Sequence, residues 1–302
     1  MAQANTRITS TANNASIPLI DNGEGECCVE GRSSKIVASL QTTFGGRALF
    51  TSALSSSHHH QARLIERFAT MALPPSLQAL SIGSLTAPNT LELFLDYLCP
   101  FSAKQLKGVN EHLLPLVIGD SAQYKDKVRI VIRPYPQPWH STSTLLHESA
   151  LAVAKIALTD PAVTAIPDRN AFWLYSLELM KAQERFFDGP ARGKSPDGIR
   201  GELATLAIET VGEAPKKRKQ EAIHRELQGT PLGQSVKNLI RVEKEGNGGS
   251  AVVPELKYCV KLGRQNGIHV TPTCLWNGLV EGSISSSFDQ AAWKEFLEKQ
   301  LA

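Results

Sequence analysis

Apolar positions along this chain recur with two periods, and the change from one to the other divides it into elements. In Leu91-Glu-Leu-Phe-Leu-Asp-Tyr97, Leu91, Leu93, Leu95 and Tyr97 share one face while Phe94 lies on the other. This predicts a strand near 90–97 with both faces covered. Leu106, Val109, Leu113 and Val117 form one helical stripe, and Pro115 should kink or end that helix. Val128-Arg-Ile-Val-Ile-Arg133 is dense in β-branched residues and predicts a second strand. Strand, helix and strand joined in this way predict a right-handed βαβ unit with parallel strands.

From about 141 to 265 the period is helical. Leu145, Leu146, Ala150, Val153 and Ile156-Ala157 follow it, as do Trp173, Leu177, Met180 and Phe187. A Gly/Pro/Lys-rich break at 188–196 precedes a third helix near Ile199–Val211, and a further helical segment covers Val252–Gly263. Strands return with Thr273-Cys-Leu-Trp276 and Leu279-Val-Glu281. Between them Asn277-Gly278 supplies the two positive-φ residues of a type I′ turn. Ser286-Ser-Phe-Asp289 has the look of a capping box. The helix after it pairs Ala292 with Phe296, Trp293 with Leu297 and Leu297 with Leu301, a face that should dock on the sheet.

Residues 1–75 lack this patterning and are rich in Ser, Thr, Ala and Asn, which predicts a disordered tail. Residues 76–302 then form one domain with a helical insertion at about 141–265. Within the tail, Lys35–Leu40 is a strand-like run without an evident partner, and Met71 offers a start for a shorter product. His58-His59-His60 reads as a solvated run, with no Cys or carboxylate at ligand spacing, so no metal site is expected. Lys216-Lys-Arg-Lys219 reads as a solvated helix start.

Composition narrows the partners. A formal net charge of +3 over 302 residues points to neither nucleic acid nor a membrane surface. No run of 18 apolar residues exists, and the first twenty residues hold no signal-peptide core. Five cysteines (27, 28, 99, 259 and 274) make an odd count, with Cys27-Cys28 adjacent, and form no disulfide framework. That usage fits an intracellular, reducing compartment, the cytoplasm first. Asp21, Glu24, Glu26 and Glu30 depart from an acid-poor transit peptide, and organellar import stays open.

Candidate chemistry centres on Cys99-Pro100-Phe101-Ser102, directly after the first strand. Proline is favoured at the first helical position, which puts Cys99 at the N-cap. Unpaired N–H groups and the helix dipole favour negative charge there, so a thiol loses its proton more readily, and the thiolate is the reactive form. A small buried residue at a strand end fits the same local pattern. Asp96 is either a group that influences proton transfer or a polar strand end. Trp139-His140 follows the second strand, where open α/β sheets face ligands; His140 is a candidate acid/base or part of a helix cap. His147, His269, Cys259 and Cys274 read as structural, with Cys274 also a candidate resolving thiol.

The order βαβ, helical block, ββα, with Cys99-Pro100 after the first strand and Thr271-Pro272 before the third, resembles the thioredoxin superfamily. Three segments carry the resemblance: Phe94–Ser102, Val131–Pro136 and Gly267–Thr273. The inserted helices are similar to the DsbA-like branch, which also holds kappa-class glutathione transferases and 2-hydroxychromene-2-carboxylate isomerases. The resemblance covers roughly residues 88–302. It implies an α/β, thioredoxin-like fold with an inserted helical domain, Cys99 as nucleophile and Pro272 as a cis-proline facing it. Thr271 would then offer its backbone N–H and C=O beside the sulfur, where an extended peptide or glutathione pairs like an added strand. Pro100, Phe101, Thr271 and Pro272 form the implied substrate-binding set.

Ser102 departs from the dithiol members, which carry a second cysteine there. A hydroxyl does not resolve a disulfide, so Cys99 acts alone. Ser102 either hydrogen-bonds the thiolate or bonds nearby backbone. The resemblance thus implies a glutathione-linked monothiol oxidoreductase acting on a thiol or disulfide substrate. It implies further that no cofactor is bound and that glutathione is the co-substrate. Kappa-like enzymes carry serine at the Cys99 position. Transfer or isomerisation on a small electrophile is therefore the second expectation, with Phe101, Trp139 and Trp173 lining an apolar pocket. The third is a non-enzymatic, peptide-binding adaptor.

Overall fold

The structure, a computed structural model, describes residues 73–156, 161–212, 232–242 and 246–302. The tail over residues 1–72, with Lys35–Leu40, Cys27-Cys28, His58-His59-His60 and Met71, lies outside the described residues, as does the basic run Lys216–Lys219.

The strand near 90–97 is Asn89–Leu95 (β2), and it pairs in parallel with Val128–Pro134 (β3), as the βαβ pattern requires. Thr273–Trp276 (β4) lies antiparallel on the other side of β2, and Leu279–Val280 (β5) turns back on β4. Asn277 and Gly278 have φ of 52° and 83°, both positive as a type I′ turn demands. The folded part starts earlier than expected. Leu73 is buried, Pro75–Leu80 forms a 3-10 turn, and Ser81–Ile82 (β1) adds an antiparallel edge to β3. Two residues carry no readable period, so this strand is a product of pairing alone. Among the described residues the sheet order is β1-β3-β2-β4-β5.

Helix Pro100–Gly108 (α1) runs into a π turn, Val109–Leu113, and a last α turn, Leu114–Val117. Pro115 lacks an N–H and its ring crowds the preceding turn, so the widened π turn takes up the misfit and the helix ends two residues later. Helices Ser143–Ile156 (α2), Ala171–Lys181 (α3), Pro196–Ala207 (α4), Leu232–Ile240 (α5) and Val253–Gln265 (α6) fill the expected helical stretch. Gln290–Leu301 (α7) closes the chain. Its N-cap is Asp289, whose carboxylate accepts from the Ala292 N–H. Ala292 stands where a capping box needs Glu or Gln, so the expected box does not form.

Leu91, Leu93 and Leu95 join the main core with Leu106, Val109 and Trp293. Phe94 and Leu275 meet Tyr135 and Ile268 on the opposite face, and Val260 and Leu262 of α6 cover them. Each fully buried leucine contributes about 1.5–3 kcal/mol of transfer energy, and covering the sheet on both faces secures β2 against a slip of register. On that second face Glu92 accepts from Arg133 Nε at 2.6 Å, both nearly sealed from water. Removing one partner of such a pair leaves an uncompensated buried charge.

The helical block is tied to the sheet by polar anchors. Asn170 caps α3 through the Trp173 N–H and donates to the carbonyls of Ala79 and Thr164. Tyr97, just before Cys99, meets Ser176 Oγ at 2.8 Å through its hydroxyl, and its carbonyl accepts from Gln183 at 3.0 Å.

Candidate thiol site at the start of helix α1

β2 delivers the chain to Asp96, and an Asx turn (Leu98 N–H to Asp96 Oδ1, 2.9 Å) reverses it into α1. Cys99 is the N-cap, with extended φ/ψ of −82° and 119° and Pro100 at the first helical position. Its carbonyl accepts the first intrahelical bond from Ala103, and its own N–H goes to Asp96 O. This is the placement that the Cys-Pro order predicts.

Opposite stands the Thr271–Pro272 loop, and that peptide bond is cis. Cys99 Sγ donates to the Thr271 carbonyl at 3.2 Å. The Thr271 N–H makes no hydrogen bond among the described residues, and its Oγ1 is buried without a partner. A thiol at a helix N-cap after the first strand of a βαβ unit thus faces a cis-proline loop before an antiparallel hairpin. The fold is thioredoxin-like.

No protein-family model matches the chain, and no curated protein matches it in sequence. Solved structures do. A candidate protein-disulfide isomerase from Pseudomonas syringae is 24% identical over 72% of this chain and 97% of its own, with a TM-score of 0.46. BdbD from Bacillus subtilis is 20% identical, covering 74% of this chain and 93% of its own, with a TM-score of 0.43. DsbA from Chlamydia trachomatis is 18% identical, covering 73% and 89%, with a TM-score of 0.46. The chemistry open to this chain follows from its own residues.

In this thioredoxin-like site Cys99 itself is 7% exposed, but its rim is open: Phe101 is 65% exposed and Val270 58%. Ser102 takes the second of its two expected roles. Its side chain is fully buried and its Oγ accepts from the Asp96 N–H at 3.2 Å. Cys274 sits in β4 opposite Leu93 and Cys259 in α6; burial pushes each thiol up to about 12, so neither supplies a thiolate. Trp173 is also corrected. It lies in the core and donates to Asn110 Oδ1, so it lines no open pocket.

Asp96 is far more than a strand end. Its Oδ1 accepts from Ser143 Oγ (2.6 Å) as well as Leu98 N–H, and its Oδ2 accepts from Gln137 N–H (2.8 Å) and His140 Nδ1 (2.7 Å). Burial alone would raise this carboxyl. The charge His147 can carry, and the hydrogen bonds from Ser143, Leu98 and His140, outweigh burial and hold it below the usual range. An ionised carboxylate only accepts, so His140 carries a proton on Nδ1. His147 is buried, with Nδ1 2.8 Å from Ser143 O and Nε2 3.2 Å from Leu95 O, and burial pushes its basicity down against the pull of Asp96. Pro134, Pro136 and Pro138 stiffen the segment that presents Gln137 and His140. Of this network the sequence singled out Asp96 and His140; nothing local marked Ser143 or Gln137 as their partners. His269 differs from its expected structural role, being exposed at the rim of a cavity that His140 and Trp139 also line.

Proposed function

We propose that the protein is a glutathione-linked monothiol thiol–disulfide oxidoreductase with Cys99 as its nucleophile. The observation that carries this reading is the 3.2 Å contact of Cys99 Sγ, at a helix N-cap, with the carbonyl of a cis Thr271–Pro272 loop. In the first step the Cys99 thiolate attacks a sulfur of a glutathionylated substrate. A new S–S bond to glutathione forms, the substrate's S–S bond breaks, and the substrate leaves as thiolate. A second glutathione thiolate then attacks the mixed disulfide, releasing oxidised glutathione and Cys99. With Ser102 in place of a second thiol, that external thiol is required.

Once Cys99 is in a mixed disulfide its thiol proton is gone, and Thr271 O is free to accept from the bound peptide. The unpaired Thr271 N–H donates, which makes a strand-like clamp, with Phe101 and Val270 as an apolar rim. Transfer to a small electrophile is less favoured, because Trp173 cannot wall its pocket. The reading implies an intracellular, glutathione-containing compartment, the cytoplasm, and the free thiols of Cys99, Cys259 and Cys274 support it. Among the described residues no helix is long and apolar enough to cross a membrane.

Incubation of the full chain with oxidised glutathione, followed by intact mass and peptide mapping, tests the proposal. One glutathione on Cys99, removed by reduced glutathione and absent in Cys99→Ser, is expected. A Cys99–Cys274 disulfide, or no adduct on Cys99, overturns it.

A further inference from the structure

A groove runs along α6 toward the thiol site. One cavity of about 610 Å³ lies between α6 and the start of α2, floored by Val253, Leu256 and Val260. A second, of about 570 Å³, continues from it, since Pro136, Thr144, Val260 and Arg264 line both. The second cavity ends against Gly267-Ile268-His269, two residues before the carbonyl that holds Cys99. Along one wall stand Lys257, Lys261 and Arg264, at positions i, i+4 and i+7 of α6 and all exposed. Glu148, which lines the first cavity, pairs with Arg200, and Glu255 of α6 pairs with Lys155. Among the described residues no carboxylate pairs with the row. A cationic helix face is ordinarily just solvated. This one instead edges an apolar-floored cavity whose continuation ends at His269, two residues from the Thr271 carbonyl that Cys99 Sγ meets.

We propose that this groove binds an acidic, extended segment of the protein substrate, next to the cysteine that exchanges with Cys99. The inference deepens the exchange proposed above and rests on it for the identity of the reacting end. The apolar floor takes aliphatic side chains of the segment, and Asp or Glu residues meet the row. Exposed charges at a rim act mainly on association and are screened by salt, so selectivity should be greatest at low ionic strength. A nucleic acid would meet the same charges but has no use for the apolar floor.

The test uses two glutathionylated peptides of equal length, one flanked by Asp and Glu, the other by Lys. At low salt the full chain should turn over the acidic peptide with a kcat/KM about tenfold above the basic one. That ratio should shrink with added salt and collapse in Lys257→Glu/Lys261→Glu/Arg264→Glu, but persist in the charge control Lys294→Glu. Binding of a cysteine-free acidic peptide to Cys99→Ser, read by fluorescence anisotropy, tests the groove without any chemistry. A ratio near one in the native chain overturns the groove, as does a ratio unchanged by the triple reversal. An oligonucleotide that displaces the acidic peptide overturns the choice of a peptide. Absence of turnover on either peptide, with anisotropy intact, counts against the exchange reaction and leaves the groove standing.

Discussion

His147 and Asp96 hold protons differently in the folded and unfolded chain, and stability follows from that difference. Below the ordinary histidine value of 6.5 the unfolded chain takes up a proton at His147, while burial keeps the folded ring neutral until lower pH. The unfolded state therefore gains as pH falls through this window. Asp96 adds a second, lower window. Its folded value is depressed, so its contribution is complete above the ordinary 3.8 and is lost as pH falls through the folded value. The urea midpoint should decline from pH 7 to 5, and His147→Gln should flatten that slope. A midpoint equally steep in His147→Gln would remove His147 as the cause. Asp96 and His140 stood out in the sequence, but their joining into one network did not, because its partners stand far apart: Ser143 reaches Asp96 across 47 positions and Gln137 across 41.

Among the elements, the end of β3 and the end of α6 are locked together around Ile268. Its N–H donates to Gly263 O at 2.9 Å, and its carbonyl accepts from the Tyr135 hydroxyl at 3.0 Å. A Cβ on Gly263 would overlap the Tyr135 ring. Close approach, rather than backbone freedom, is why glycine stands there. Gly263→Ala should cost about 1–3 kcal/mol in urea unfolding through overpacking. The added Tyr135→Ala change should recover part of that cost, giving a coupled double-mutant cycle. Additive costs would mean that the ring is not what the methyl meets. Helix α6 was readable from its apolar period, but its fit against Tyr135 was not, because nothing local marks a glycine for close packing.

At the scale of the whole molecule, one residue separates this site from a dithiol one. Ser102 lies one helical turn from Cys99 and is buried against the Asp96 N–H. In Ser102→Cys the added thiol should capture the mixed disulfide. Treatment with oxidised glutathione should then yield an internal disulfide between Cys99 and the introduced thiol, two hydrogens lighter by intact mass, and release two reduced glutathiones. A stable glutathione adduct on Cys99 in that variant would show that position 102 cannot reach the sulfur.

The elements of the fold could be read locally. The period of β2, the β-branched run of β3, the Asn277-Gly278 turn and the Cys99-Pro100 cap each follow from the φ/ψ preferences and polarity of adjacent residues. Tertiary structure alone decided the rest. It paired β1 to an edge too short to announce itself, turned Ser102 inward and gathered four donors on Asp96. It also brought the Thr271 carbonyl, 172 positions away in sequence, to the Cys99 sulfur. Those outcomes depend on which distant groups share one buried space, and no local period encodes that.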